Sequence, residues 1–296
     1  MGIGIKNNSG GARVKIDGKT PTEKLNLKKV LDKEFSLISF SKKISPEIYS
    51  DGNFYSVSFE AYNNNDIFIN RVSIDGVFTQ KKTNVFSSKG NLIMGIFAYH
   101  NKIYIAVVEK SYTGAIYEYN IERNSVTIIS TFSFGGSYNY TGVDAYFSVG
   151  HIDGKIYFSI NPKYYLYSFD LTTGRISEIN VNSIDYRINA VYEDNGIVYA
   201  VAGGYIYILE TCTKTNISVP GECRTSGGHL YVVNTIKSES EYELYRYSHS
   251  GTGKELSTTF YAKLGLIIPS YDSDLFGIYL RNQFSIVTEN LYMRGE

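Results

Sequence analysis

One short pattern recurs along this chain and limits what the chain can fold into. A tight-turn signal is followed, within a few residues, by an aromatic side chain on an apolar run. The copies are Asp51-Gly52-Asn53-Phe54-Tyr55, His100-Asn101-Lys102-Ile103-Tyr104, Asp153-Gly154-Lys155-Ile156-Tyr157, Asp194-Asn195-Gly196-Ile197-Val198-Tyr199 and Gly227-Gly228-His229-Leu230-Tyr231. Asp274-Leu275-Phe276 is a degraded sixth. Gly and Asn accept the positive φ that a two-residue hairpin turn requires, and β-branched and aromatic residues suit a pleated, half-buried surface. The grammar is clearest over residues 151–180. There Asp153-Gly154 turns the chain into a strand at 155–160, Asn161-Pro162-Lys163 breaks it, a second run covers 164–169, and Thr173-Gly174 turns it into a third.

The anchor aromatics at 55, 104, 157, 199, 231 and 276 fall about 44 residues apart on average, the length of one four-stranded antiparallel unit. A second run repeats inside each unit: Ile67 to Ile69, Ile116 to Tyr119, Leu166 to Phe169, Ile206 to Leu209 and Leu244 to Tyr247. Turn residues follow most of these, as at Asp75-Gly76 and Ser250-Gly251. On these residues the chain resembles a β-propeller of a loosely kelch-like kind, without the paired glycines and Trp of kelch repeats. The resemblance implies an all-β fold: a six-bladed β-propeller of four-stranded antiparallel blades with a small N-terminal extension.

The expected division is an N-terminal docking segment at 1–34 and the propeller at 35–296. Phe35 to Ser41 looks like Ile128 to Phe134, an outer strand, with no earlier strands of its own unit. It is therefore expected to close the ring by completing the last blade, which removes exposed sheet edges. The alternative is that Leu291 to Arg294 supplies that fourth strand. Residues 20–33 carry conflicting signals: Thr20-Pro21-Thr22-Glu23 is a capping box, while Leu25 and Leu27 alternate as in a strand.

Net charge is zero, yet residues 1–43 carry 10 Lys or Arg against 4 Asp or Glu. The basic segment reads either as a solvated surface or as a docking arm for an acidic partner, with Arg13, Lys15, Lys19 and Lys24 as candidate docking residues. No basic stripe is interleaved with the aromatics, so nucleic acid is not an expected partner. There is no run of 18 apolar residues, so no membrane span is expected, and no apolar leader is seen at the N-terminus. Cys212 and Cys223 lack metal-ligand spacing and read as free structural thiols, a late disulfide between them being the alternative.

The opening MGIGIKNNSGGARVKIDGKTP is similar to the starts of tail and baseplate appendage proteins of phages, or phage-tail-like particles, of low-GC Gram-positive bacteria. That similarity implies a structural protein assembled in the bacterial cytoplasm and carried in a virion or tail-like particle. Its N-terminal segment would bind other particle proteins, and the propeller would face a host-surface glycan or protein.

Catalytic chemistry is sparse. His100, His151, His229 and His249 have no ligand spacing, and neither a nucleophile elbow nor a Walker loop occurs. Sialidases share six-bladed architecture, but their Asp-box ends in Trp, which this chain lacks. Glu193-Asp194 and Asp272 with Asp274 are the carboxylate pairs, and they serve as acid and base only if loops bring them together. No metal, cofactor or catalytic residue is expected, and the protein is read as a non-enzyme. Most of the 28 tyrosines should fill the spaces between blades. Tyr112, Tyr138 and Tyr140 lie in loop sequence of Tyr/Ser/Gly/Asn composition and are the candidate binding loop. The alternatives are an intracellular propeller scaffold for protein–protein interaction and a glycan-processing propeller enzyme.

Overall fold

The computed structural model describes residues 23–24, 27–34, 48–50, 53–59, 67–73, 77–83, 92–99, 102–108, 113–133, 145–160, 165–237, 241–248, 254–261, 264–268, 277–281 and 288–294. All regular structure among them is β. Strands β1 (Glu23–Lys24) and β2 (Leu27–Glu34) come first in the chain but join its last two sheets. The first sheet is β3 (Ile48–Ser50), β4 (Asn53–Phe59), β5 (Ile67–Ser73) and β6 (Phe78–Thr83). The second is β7 (Leu92–Tyr99), β8 (Lys102–Val108), β9 (Thr113–Asn120) and β10 (Ser125–Ser133). The third is β11 (Ala145–Ile152), β12 (Lys155–Ile160), β13 (Tyr165–Asp170) and β14 (Ile176–Ile179). The fourth is β15 (Ile188–Asp194), β16 (Ile197–Ala202), β17 (Tyr205–Ile208) and β18 (Thr213–Ser218). The fifth is β19 (Glu222–Ser226), β20 (His229–Lys237), β21 (Glu241–Tyr247) and β22 (Lys254–Tyr261). The sixth is β23 (Leu264–Ile268), β24 (Gly277–Arg281) and β25 (Thr288–Arg294). Apart from β1 and β2, each sheet runs in chain order with antiparallel neighbours, as hairpins joined end to end must.

The recurrent turns behave as their residues require. Asp153-Gly154, Asn195-Gly196 and Gly227-Gly228 each have positive φ at both positions, the geometry of a two-residue type I′ hairpin. The anchor aromatics sit on the second strand of each sheet and point inward: Tyr55, Tyr104, Tyr157, Tyr199 and Tyr231 are all buried. Phe276 lies outside the described residues.

Both faces of the sheets are covered. In the third sheet, Ile156, Phe158, Tyr167 and Phe169 pack toward the second, and Tyr157 and Leu166 pack toward the fourth. In the fourth, Ile188, Val191, Ala200, Ala202 and Tyr207 face the third, while Ala190, Tyr192, Tyr199, Val201 and Ile206 face the fifth. Successive side chains of a strand point to opposite faces, so a sheet covered on both sides reads as an unbroken apolar run. Fully burying one such side chain contributes about 1.5–3 kcal/mol.

Among the described strands, the fourth strands are the least buried. β15 is largely buried, whereas β10, β14 and β18 are exposed or half-buried along most of their length. The first strands pack on one another, β3 on β7, β7 on β11, and β11 on both β15 and β19. Here the approach is close. A Cβ on Gly150 would lie 2.1 Å from the Val191 carbonyl oxygen, and the Thr225 hydroxyl donates to the Val149 carbonyl at 3.3 Å. The inner strands thus fill the line they share at this level.

The sixth sheet is completed by the N-terminal part of the chain. β2 pairs antiparallel with β25, from Leu27 opposite Arg294 to Glu34 opposite Thr288. Residues 27–34 therefore complete the sixth sheet; the segment 35–41, expected to do so, lies outside the described residues. β25 is the third strand of its sheet, not the fourth. Residues 27–34, expected in the docking segment, are sheet material. The physical reason is that an outer strand is largely solvated, as the sequence TKTNIS of β18 shows, so LKKVLDKE suits that place and an apolar run is not required. β1 adds in parallel to the edge of β22, which makes the fifth sheet five-stranded. Glu23–Lys24 and Leu27–Glu34 are thus strand, because a sheet edge is available to pair with, and local helix propensity is too weak to compete.

Two stability experiments follow from this arrangement. Deleting residues 1–22 should leave the thermal midpoint nearly unchanged. Deleting 1–34 removes β1 and β2, bares the edge of β25, and should cost several kcal/mol of a typical ~5–15 kcal/mol. Equal melting of both truncations would refute the closure. Among glycines, Gly150→Ala drives a methyl into the backbone of β15 and should cost about 2–3 kcal/mol in urea unfolding. Gly154→Ala meets nothing within 4 Å and bears only the left-handed φ of +71°, a cost of about 1–2 kcal/mol.

Candidate functional site

Antiparallel strands put the connections at two ends of the molecule. One end carries the turns between first and second strands, such as Asp153-Gly154. The other carries the links between second and third strands and those from sheet to sheet. Tyr112 falls between β8 and β9, and Tyr138 and Tyr140 fall between β10 and β11; all three lie outside the described residues. The strand ends that flank them meet, since Val108 pairs with Gly114 and Ser133 with Thr113. Arg13, Lys15 and Lys19 are likewise outside the described residues. Lys24 is on β1, with its backbone opposite Ser257.

At this second end, the fourth sheet carries an aromatic platform that the sequence reading did not single out. Val181 and Ile184 are buried under the chain entering β15, and the Ile184 amide donates to the Val181 carbonyl at 2.9 Å. That turn leaves Asp185 and Tyr186 outside, with Tyr186 50% exposed. Gly203-Gly204 joins β16 to β17 with φ of +57° and +78°, and the Val219 amide donates to the Gly204 carbonyl at 2.7 Å. A Cβ on Gly203 would stand 2.5–2.8 Å from three atoms of the Tyr186 ring, so the ring is seated on a backbone that only glycine can offer. Tyr205 follows at 37% exposure with the Lys214 ammonium 3.2 Å from its ring centroid, a cation–π contact. Tyr207 stands behind, buried. Burial raises its phenol above the ordinary value, and the charges of Tyr186, Asp185 and Tyr205 act on it in the same direction. Gly-Gly-Tyr after an apolar strand was the available signal, and it has the composition already noted for the loop around Tyr138.

The opposite end offers packing rather than chemistry. Glu193 and Asp194 are consecutive on β15, so their side chains leave opposite faces. Glu193 acts on Tyr157 of the third sheet, and Asp194 lies 3.5 Å from the Ser248 hydroxyl of the fifth. They do not form an acid–base pair. Asp272 and Asp274 lie outside the described residues. His151 is half-buried against Tyr99 at 5.4 Å and Phe97 at 6.1 Å between ring centroids. Among the described residues no three His, Cys, Asp or Glu side chains gather as metal ligands. Cys212 and Cys223 are free thiols in different interfaces, and burial pushes the Cys223 thiol up to about 12.

No protein family and no curated protein matches this sequence. Among solved structures, a luciferin-regenerating enzyme aligns over 92% of this chain and 95% of its own, at 10% identity and a TM-score of 0.52. Together with sheets of consecutive antiparallel strands, that likeness decides the architecture. The fold is a β-propeller. BamB from Moraxella catarrhalis also aligns, over 84% of this chain and 72% of its own, at 14% identity and a TM-score of 0.43. The platform of Tyr186 and Tyr205 sits at an end of the propeller.

The phenols between blades make a prediction about alkali. Burial raises the pKa of Tyr104, Tyr119, Tyr157, Tyr167, Tyr192, Tyr245 and Tyr247 above the ordinary 10.0. The folded chain therefore holds these protons more tightly than the unfolded chain. Their contribution to stability is whole below pH about 10 and is lost as pH rises through the higher folded values. Ultraviolet titration should show a fraction of tyrosinate appearing only with cooperative unfolding. Complete ionisation with the near-ultraviolet dichroism intact would contradict it.

Proposed function

We propose that this propeller is a non-catalytic binding protein, which presents the end bearing Tyr186 and Tyr205 to a surface ligand and is anchored by its N-terminal segment in a phage or phage-tail-like particle. The observation that carries the reading is the exposed pair of rings on the Gly203-Gly204 turn. Among the tyrosines whose side chains the structure describes these two are the exposed ones, whereas the anchor tyrosines are committed to the space between blades.

The particle setting is supported by the opening residues, MGIGIKNNSGGARVKIDGKTP. β1 and β2 lie on the outer edges of the fifth and sixth blades, so a partner held by the preceding residues would join the propeller at its rim. That attachment leaves both ends of the ring free to meet a ligand.

Binding of labelled full-length protein to candidate host cells tests the reading. Tyr186→Ala with Tyr205→Ala should weaken binding by about tenfold or more without moving the thermal midpoint, because exposed anchors carry interface energy and not core packing. Unchanged binding would sink the assignment of this end. Recovery of the chain in purified particles tests the anchor, and loss of particle incorporation on deleting residues 1–22 is the expected result. Cleavage of a glycoside panel by the purified protein would move the reading to an enzyme.

A further inference from the structure

We propose that the ligand of the Tyr186–Tyr205 platform is a pyranose sugar of a surface polysaccharide; this rests on the binding reading above and names its chemistry. The platform is small and polar-edged. Its apolar content is two tyrosine rings, and Asn182, Ser183, Asp185 and Lys214 around them are all exposed. Among the described residues, the other exposed large apolar ones, Val77, Ile128 and Ile197, belong to a first-blade turn, a second-blade outer strand and the turn at the opposite end. A stable protein interface needs about 800 Å² from each partner around buried anchors, and the described residues of this patch offer no such apolar core. A pyranose needs less. One face of its ring is a sheet of C–H groups that lies on an aromatic face, while its rim of hydroxyls asks for charged or polar partners in the plane.

The geometry supplies both. Tyr186 is held against Gly203, with its Cγ, Cδ1 and Cδ2 all within 2.8 Å of where a Cβ would stand, which fixes the ring before a ligand arrives. A preset ring loses little rotamer entropy on binding. The Lys214 ammonium lies over one face of the Tyr205 ring, 3.2 Å from its centroid; it steadies the ring and can donate to a sugar hydroxyl or carboxylate at the ring's edge. The Asp185 carboxylate, adjacent to Tyr186 in the chain and near enough to act on Tyr207, accepts from sugar hydroxyls.

The test uses the full chain on immobilised pyranose oligosaccharides (neutral, N-acetylated and acidic) and on bacterial cells. Wild type should bind at least one oligosaccharide class. Tyr186→Ala or Tyr205→Ala should each weaken that binding by about tenfold, and Tyr186→Phe should keep most of it, since the ring face remains. Asp185→Asn should weaken it less than ring removal. Should an alanine variant fail to fold, competition of wild type by free methyl pyranosides replaces it, with displacement expected. Cell binding should be lost after periodate cleaves vicinal diols and should survive protease. If cell binding requires both tyrosines yet survives periodate and is lost to protease, the sugar is wrong while the platform stands. If the alanine variants bind cells as wild type does, the platform reading fails and the sugar with it. Absence of any oligosaccharide or cell binding overturns both.

Discussion

Each well-described blade of this protein is apolar on both faces, and that constraint organises everything else. Ile156 and Phe158 need a neighbour on one side of the third blade, and Tyr157 and Leu166 need one on the other. The same is true of the fourth blade, whose Val191 and Tyr192 belong to different interfaces. An open stack of such sheets would leave an apolar face bare at each end, and a ring leaves none. Joining the two ends of the chain in one sheet is the covalently economical way to hold that ring. β2 beside β25 does so, and β1 on the edge of β22 ties the adjoining blade as well.

The same constraint determines where function can sit. Residues between blades are committed to packing, and the inner strands approach closely enough for Gly150 to be obligatory. What remains free is the rim and the two ends. At one end the tight turns are filled with short polar residues. At the other, the connections into β15 and between β16 and β17 hold Tyr186 and Tyr205 out of the packing that claims their counterparts. Tyr207, two residues from Tyr205 on the same strand, shows the alternative: it is buried in the third–fourth blade interface.

Much of the fold was legible in the chain because its signals are local. A two-residue turn with positive φ needs Gly or Asn whatever surrounds it, so Asp153-Gly154 and Asn195-Gly196 announce hairpins by themselves. Tyr55, Tyr104, Tyr157, Tyr199 and Tyr231 recur at one place in each unit because every second strand faces the same packing problem. The strands at 155–160, 165–170 and 176–179 lie where the pattern of residues 151–180 places them.

What the chain could not disclose were the choices made between distant segments. Leu27–Glu34 closes the last blade although its composition resembles a solvated linker, because an outer strand needs a ladder partner more than an apolar face. Glu193 and Asp194 look like a catalytic pair in sequence, and one residue of pleat sends them to different blades. The Gly-Gly turn after β16 is a turn in any context, but it becomes the seat of Tyr186 only because the chain between β14 and β15 passes over it. Turn type and strand identity are settled by the torsional preferences of neighbouring residues. Pairing, facing and exposure are settled by which remote surfaces meet, and that information resides in the tertiary structure.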